Sequence, residues 1–279
     1  AWVKSKPILN FTGYAYELMK YVPITEDNEW HPKAVMPKEE YIINTFNKQF
    51  NQIVTTAKNG MNTDSSFICA IDVSLSMTSK TNGTNFSAYQ VALSMALYFS
   101  ELLTGKFHNQ FIQFSTKAKL SSFKGKTPIE KLTNFTPDDM GSTNFLAVAN
   151  IFANLKKIGI DEDLLPKGVI CISDGEFNRS GNDTNFHQFM RILRNAGFSD
   201  EFISNFKIVL WDIPNMYHGE SKPKFESLAE EGNFFYMSGF DGSGIAFLTG
   251  TKYQERIPRT AEEIFEDAMN QELLNKLSL

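Results

Sequence analysis

The stretch "FICAIDVSLSMTSK", residues 67–80, carries five apolar residues without interruption, from Phe67 to Ile71, and then stops at Asp72. A strand with one face in water alternates apolar and polar residues. A run that is apolar on both parities fits a strand covered on both faces, as in a parallel sheet. Parallel neighbours are joined by long crossovers, usually helical. One such strand therefore predicts strands and helices alternating along the chain.

The residues downstream of 66 follow that alternation. A helix is predicted with Ala88, Val91, Ala92, Met95, Ala96, Phe99, Leu102 and Leu103 on one side and Gly105 as its stop. "NQFIQF" (109–114) and "AKLSSF" (118–123), separated by a short turn, predict a hairpin at a sheet edge. Helical "TNFLAVANIFANLKKI" (143–158), opened by Thr143, leads into a second doubly buried strand, "GVICISD" (168–174). A helix near 184–196 precedes the strand "FKIVLWDI" (206–213), and a helix over 222–231 precedes the strand "NFFYMSGF" (233–240). A short helix is expected near 243–249, and a last one from Thr260 to about 277, where Glu263 completes a capping box.

Upstream, aromatics and prolines mix over residues 1–36, and Ile42, Ile43, Phe46, Phe50, Ile53, Val54 and Ala57 mark a helix that Gly60 ends. The fold class expected is α/β: a doubly wound, mostly parallel central sheet flanked by helices, with a helical N-terminal extension. The divisions expected are the extension over 1–62, the sheet domain over 63–255 and a C-terminal helix over 256–279 packed on it.

With 42 % hydrophobic residues and 25 phenylalanines among 279, the chain can bury a sizeable core. A formal charge of −5 argues against coating nucleic acid by bulk charge. No run approaches the ~18 apolar residues of a membrane span, so no membrane partner is expected. There is no signal-peptide pattern, and the opening on Ala1 is read as a processed chain or part of a longer one. The two cysteines, Cys69 and Cys171, each sit in an apolar run, which points to buried thiols and an intracellular, cytoplasmic setting. No Gly-rich phosphate loop follows any strand.

In open α/β sheets ligands bind beyond the carboxyl ends of the central strands. Three segments converge there: Asp72, Ser74 and Ser76 after one strand, Thr143 in "MGSTNF", and Asp174 in "ISDGEF". Together they offer two carboxylates and three hydroxyls, with no nitrogen or sulfur donor. Hard oxygen donors favour Mg²⁺, with Mn²⁺ or Ca²⁺ as alternatives. Few charged donors leave the ion net positive charge and room for a carboxylate from another molecule. An aspartate at a strand end is also an ordinary helix cap; three loops offering oxygens at one edge is the more specific pattern.

Asp72-x-Ser74-x-Ser76, Thr143 in "GSTN" and Asp174 in "SDGE" resemble, in order, the metal-ion-dependent adhesion site (MIDAS) of von Willebrand factor A-like (vWA) domains, over about residues 64–250. "LLPKGVICISDGEFN", "FKIVLWDIP" and "FYMSGFDGSGIAFL" also look like a family catalogued as a domain of unknown function. Its members are similar in arrangement to the TROVE-domain Ro ribonucleoproteins. The resemblance implies a Mg²⁺-dependent binding module that engages the Asp or Glu of a protein partner, within a larger protein or ribonucleoprotein. It also implies that a shift of the last helix can be coupled to ligation.

Two other readings compete. A Mg²⁺-dependent phosphoester hydrolase would need a base, and His187 is the nearest candidate; Glu176 and Asp139 read as rim charges. RNA association would use Lys117, Lys119, Lys124, Lys126 and Lys131 on or near the hairpin, although edge-strand lysines also guard against aggregation. Finally, Cys69 and Cys171 each precede a cluster aspartate by three residues. Neighbouring parallel strands in that register would put both thiols on one face.

Overall fold

The computed structural model describes residues 13–26, 32–60, 66–81, 85–138, 140–175, 184–213, 224–227, 233–239, 244 and 248. A 3-10 turn over Ala15–Tyr21 leads to the short antiparallel pair β1 (Ile24–Glu26) and β2 (Pro32–Ala34), followed by the long helix α1 (Glu40–Gly60). The sheet then begins with β3 (Phe67–Asp72), buried at all six positions as its composition required. Helix α2 (Ala88–Leu102) starts at Ser87, whose hydroxyl accepts from the Gln90 amide while the Gln90 side chain accepts from the Ser87 amide. That reciprocal box satisfies two otherwise orphaned donors.

β4 (Gln110–Phe114) and β5 (Ala118–Ser122) form the expected hairpin. α3 (Pro128–Thr133) follows, capped by Thr127 with Pro128 in its first turn. α4 (Leu146–Lys157), β6 (Gly168–Ser173), α5 (Thr184–Asn195), α6 (Asp200–Asn205), β7 (Lys207–Asp212), β8 (Lys224–Ser227) and β9 (Phe234–Ser238) complete the order. The main sheet has seven strands in the order β5-β4-β3-β6-β7-β9-β8. The five inner strands are parallel, and β5 and β8 close the edges antiparallel. This is an α/β fold with a mostly parallel central sheet.

The two faces carry separate cores. On one, Cys69, Ile71, Ile172, Val209 and Trp211 meet α2, α3, α1 and the Ala15–Tyr21 turn. On the other, Ile68, Ala70, Cys171 and Ile208 meet α4, α5 and α6. From β3 the chain moves outward through α2 to β4 and β5, then crosses back through α4 to β6 on the other side of β3. Right-handed crossovers in opposite directions put their helices on opposite faces. The reversal makes the carboxyl ends of β3 and β6 the switch point of the sheet.

Several expectations are corrected. Residues 224–227 form a strand paired antiparallel with β9, not part of a helix over 222–231. Thr143 does not open α4; it lies three residues before Leu146, in irregular chain. In the hairpin only β5 is an edge strand, because β4 is flanked by β3. The cysteines lie on opposite faces: Cys69 is level with Ile170 and Cys171 with Ala70, and each belongs to a different core. The cause is that Asp72 is the last residue of β3 whereas Asp174 lies one beyond the end of β6, so Ser173 comes level with Asp72. Both thiols are buried and free, and burial pushes both far above their usual range. The helix from Thr260 lies outside the described residues, as does most of the segment near 243–249, where Gly244 and Leu248 are helical.

Candidate functional site

Asp72 is fully buried, although it ends its strand. Its Oδ1 accepts the Ser74 backbone N–H at 2.8 Å, which turns the chain sharply after β3. Its Oδ2 accepts two hydroxyls, from Thr143 at 2.9 Å and from Ser173 at 2.8 Å. Three elements thus meet on one carboxylate. Burial pushes its pKa up, against the opposing pull of the hydrogen bonds from Ser74, Ser173 and Thr143.

Ser74 and Ser76 face one another at 3.1 Å between their Oγ atoms. They flank Leu75 in a 3-10 turn, Leu75–Thr78, which the buried Met77 anchors to the core. Ser74 is buried, Ser76 and Thr143 are half-buried and Leu75 is exposed, so the cluster has an accessible side. Asp174 is fully buried at the carboxyl end of β6, next in chain to the serine that donates to Asp72. Four of the five predicted residues, Asp72, Ser74, Ser76 and Thr143, are therefore linked by hydrogen bonds. Asp174 stands on the same sheet edge, one position past Ser173.

Sequence reasoning missed three neighbours. Ser173 was legible only as the residue before "DGE", yet the register brings its hydroxyl into hydrogen-bond contact with Asp72. Asp212, which ends β7, is level with Ser173, and Ser238, which ends β9, is level with Asp212. All three are buried. With Asp72 they form a polar row across the carboxyl ends of four adjacent strands. Tyr236 donates its hydroxyl to Asp212 Oδ2. Gly175 has φ +93, and a Cβ there would stand 2.6 Å from Asp212 Oδ1. The signal that would have found Asp212 is its place: a third largely apolar run, "FKIVLWD", that also ends in aspartate.

The residues of the competing readings are placed differently. His187 is exposed on α5, against the edge of Phe186, while Glu176, Asp139, His31 and His218 lie outside the described residues. Lys131 is buried and pairs with Glu101 and Asn109, and Lys119 pairs with Asp138; Lys117, Lys124 and Lys126 are exposed. A groove of about 970 Å³ lies at the opposite edge, lined by Phe67 and Lys207, which begin β3 and β7, and by Lys167, the residue before β6. Charged residues such as Lys106, Lys207 and Glu201 line that groove, whereas the carboxyl edge, where ligands of open α/β sheets bind, holds the buried carboxylates Asp72, Asp174 and Asp212. Among the described residues no three His, Cys, Asp or Glu side chains form a metal-binding group.

Sheet order and cluster together define an α/β protein with an oxygen-rich, partly open polar site at the switch point of a mostly parallel sheet. The chain belongs to the family described as Domain of unknown function (DUF7788), whose model matches residues 66–276. No curated protein matches the sequence. No helix among the described residues is long and apolar enough to cross a membrane.

Proposed function

We propose that this protein is a vWA-like, metal-ion-dependent binding module, in which Asp72, Ser74, Ser76, Thr143 and Asp174 hold one Mg²⁺ that engages a carboxylate of a protein partner. The observation that carries this reading is Asp72 itself. It is a fully buried carboxylate whose hydrogen-bond partners are all neutral, a backbone amide and hydroxyls. A buried carboxylate without a compensating cation is costly, and a hard divalent ion removes that cost. The donor set fits such an ion: carboxylate and hydroxyl oxygens, with the half-buried Ser76 and Thr143 toward solvent. When bound, the ion supplies a Lewis-acidic position for a partner's Asp or Glu.

Within the chain, Ser74 N–H fixes the Asp72 carboxylate plane, and the Ser173 hydroxyl holds Oδ2 from the neighbouring strand. The half-buried hydroxyls of Ser76 and Thr143 leave an approach from the outside. Two buried free thiols favour a reducing, intracellular setting. The kinship in arrangement to Ro ribonucleoproteins belongs to the same proposal, as does the larger assembly it implies.

Titration calorimetry with Mg²⁺ and Mn²⁺ tests the site. The wild type should bind, and Asp72→Ala/Ser74→Ala should lose at least about tenfold in affinity. The same pair of proteins used as bait should differ in capture of an acidic partner. Absence of heat or Mn²⁺ uptake at millimolar concentrations by the wild type would overturn the proposal. Mg²⁺-dependent turnover of a phosphoester, abolished in Asp72→Ala, would replace it with the hydrolase reading.

A further inference from the structure

Thr143 is the one hydroxyl of the cluster carried by a long irregular connection, so something must hold it in place. Between α3 and α4 the described residues 135–138 and 140–144 have no regular structure, and the second of these stretches delivers Thr143 to Asp72. Free chain of that length would spread Thr143 over many positions and charge the ordering cost to ligand binding.

The turn of the β4–β5 hairpin, residues 115–117, brackets Thr143 on both sides. The Ser142 backbone N–H donates to Thr116 Oγ1 at 3.1 Å. The Asn144 backbone N–H donates to the Ser115 carbonyl at 2.9 Å, and Asn144 Nδ2 donates to the Thr116 carbonyl at 3.3 Å. Further up the same loop the Asp138 N–H donates to Gln113 Oε1 at 3.0 Å, and Gln113 Nε2 donates to Ser121 Oγ of β5. The hairpin is in turn fastened to the site strand, because the Val73 N–H donates to the Phe114 carbonyl at 2.9 Å. The amides either side of Thr143 thus point at the hairpin while its own hydroxyl points at Asp72.

We infer that the β4–β5 turn is a clamp that pre-positions Thr143, with Thr116 and Asn144 as positioning residues that set the divalent-cation affinity of the cluster. The inference rests on the metal-binding reading above and extends it to residues outside the five-residue motif. Neither residue touches Asp72; each acts through the backbone that carries Thr143. Partners that orient a ligand from behind commonly change metal affinity by about tenfold or more. Here the bonds are exposed to water, so the effect should fall at the lower end.

Thr116 and Asn144 are exposed, so substitution leaves the core intact. Thr116→Val removes the acceptor at nearly constant shape, and Thr116→Ser keeps it. Mn²⁺ affinity, read by calorimetry or by the loss of free Mn²⁺ resonance, should fall about three- to tenfold in Thr116→Val and stay within about twofold in Thr116→Ser. In the metal-free protein, amide exchange at Ser142 should accelerate in the valine variant alone. Thr116→Val/Asn144→Ala should be weaker than either single variant. An unchanged affinity in Thr116→Val beside a wild type that binds overturns the clamp and leaves the metal reading standing. Equal weakening in the serine and valine variants also overturns it. A wild type that takes up no Mn²⁺ removes the metal reading itself, and with it the role assigned to the clamp.

Discussion

Asp72 places a carboxyl group where the protein would otherwise be dry. Burial raises its pKa, so between the unfolded value of about 3.9 and the folded one the native state holds the extra proton. Stability therefore falls as pH rises through that window. Asp72→Asn keeps the shape, can still accept the Ser74 amide at Oδ1, and can donate to the Thr143 and Ser173 hydroxyls. The metal-free variant should melt higher than metal-free wild type at pH 7, with the gap closing toward pH 4. Added Mg²⁺ should raise the melting temperature of the wild type only. Thermal melts across pH, with and without Mg²⁺, check both signs. At the same scale Gly175 is constrained twice, by its positive φ and by Asp212 Oδ1 at 2.6 Å from any added Cβ. Gly175→Ala should cost about 1–3 kcal/mol in denaturant melts. The motif letters Asp72, Ser74, Ser76, Thr143 and Asp174 were legible because each is a polar residue where an apolar run stops or a turn begins. Ser173 and Asp212 were not, because their roles come from which residues lie level across strands.

Elements follow local chemistry where the local signal is strong. The apolar runs became β3, β6, β7 and β9, and the periodic stretch from Ala88 became α2, whereas the short α3, boxed at Thr127, was not read from the sequence. Residues 224–227 failed as a helix because an edge strand is made by the neighbour it pairs with, here β9, rather than by its own periodicity. The cysteine register failed for a related reason: equal spacing to the aspartates ignores that one aspartate is inside its strand and the other just beyond it. Packing between elements has its own titratable staple. Glu162, after α4, accepts from Lys156 at 2.6 Å and from the Ser199 amide at 3.0 Å and hydroxyl. Burial would raise its pKa, but the bonds from Lys156 and Ser199 outweigh that and hold it down to about 2. Its stabilisation is therefore complete above the unfolded value of about 4.3 and fades as pH falls toward about 2. Glu162→Gln should cost about 1 kcal/mol at pH 7 and next to nothing near pH 2, measured by denaturant melts at both.

For the molecule as a whole, the decisive feature is how the segment before residue 66 joins the sheet. Helix α2 is buried almost all round, with thirteen buried residues among its fifteen. A helix apolar on every side needs a cover on the face turned from its sheet. The cover is the Ala15–Tyr21 turn and α1, whose Leu18, Met19, Phe46 and Phe50 are essentially inaccessible to water and lie in the same core as Ile71 and Trp211. The join is also polar: Asn47 of α1 accepts the Ile129 amide at 3.0 Å, satisfying a donor in the first turn of α3. The family match begins at residue 66, yet the core does not. Each of those four side chains is worth about 1.5–3 kcal/mol of burial. Their sum is comparable with the ~5–15 kcal/mol net stability of a typical domain. A fragment spanning 63–279 should therefore be insoluble or should lose its cooperative melt, and Phe46→Ala in the full chain should cost about 3–5 kcal/mol. A 63–279 fragment that melts cooperatively at the temperature of the full chain would show instead that the extension is a removable appendage and that α2 tolerates an open face.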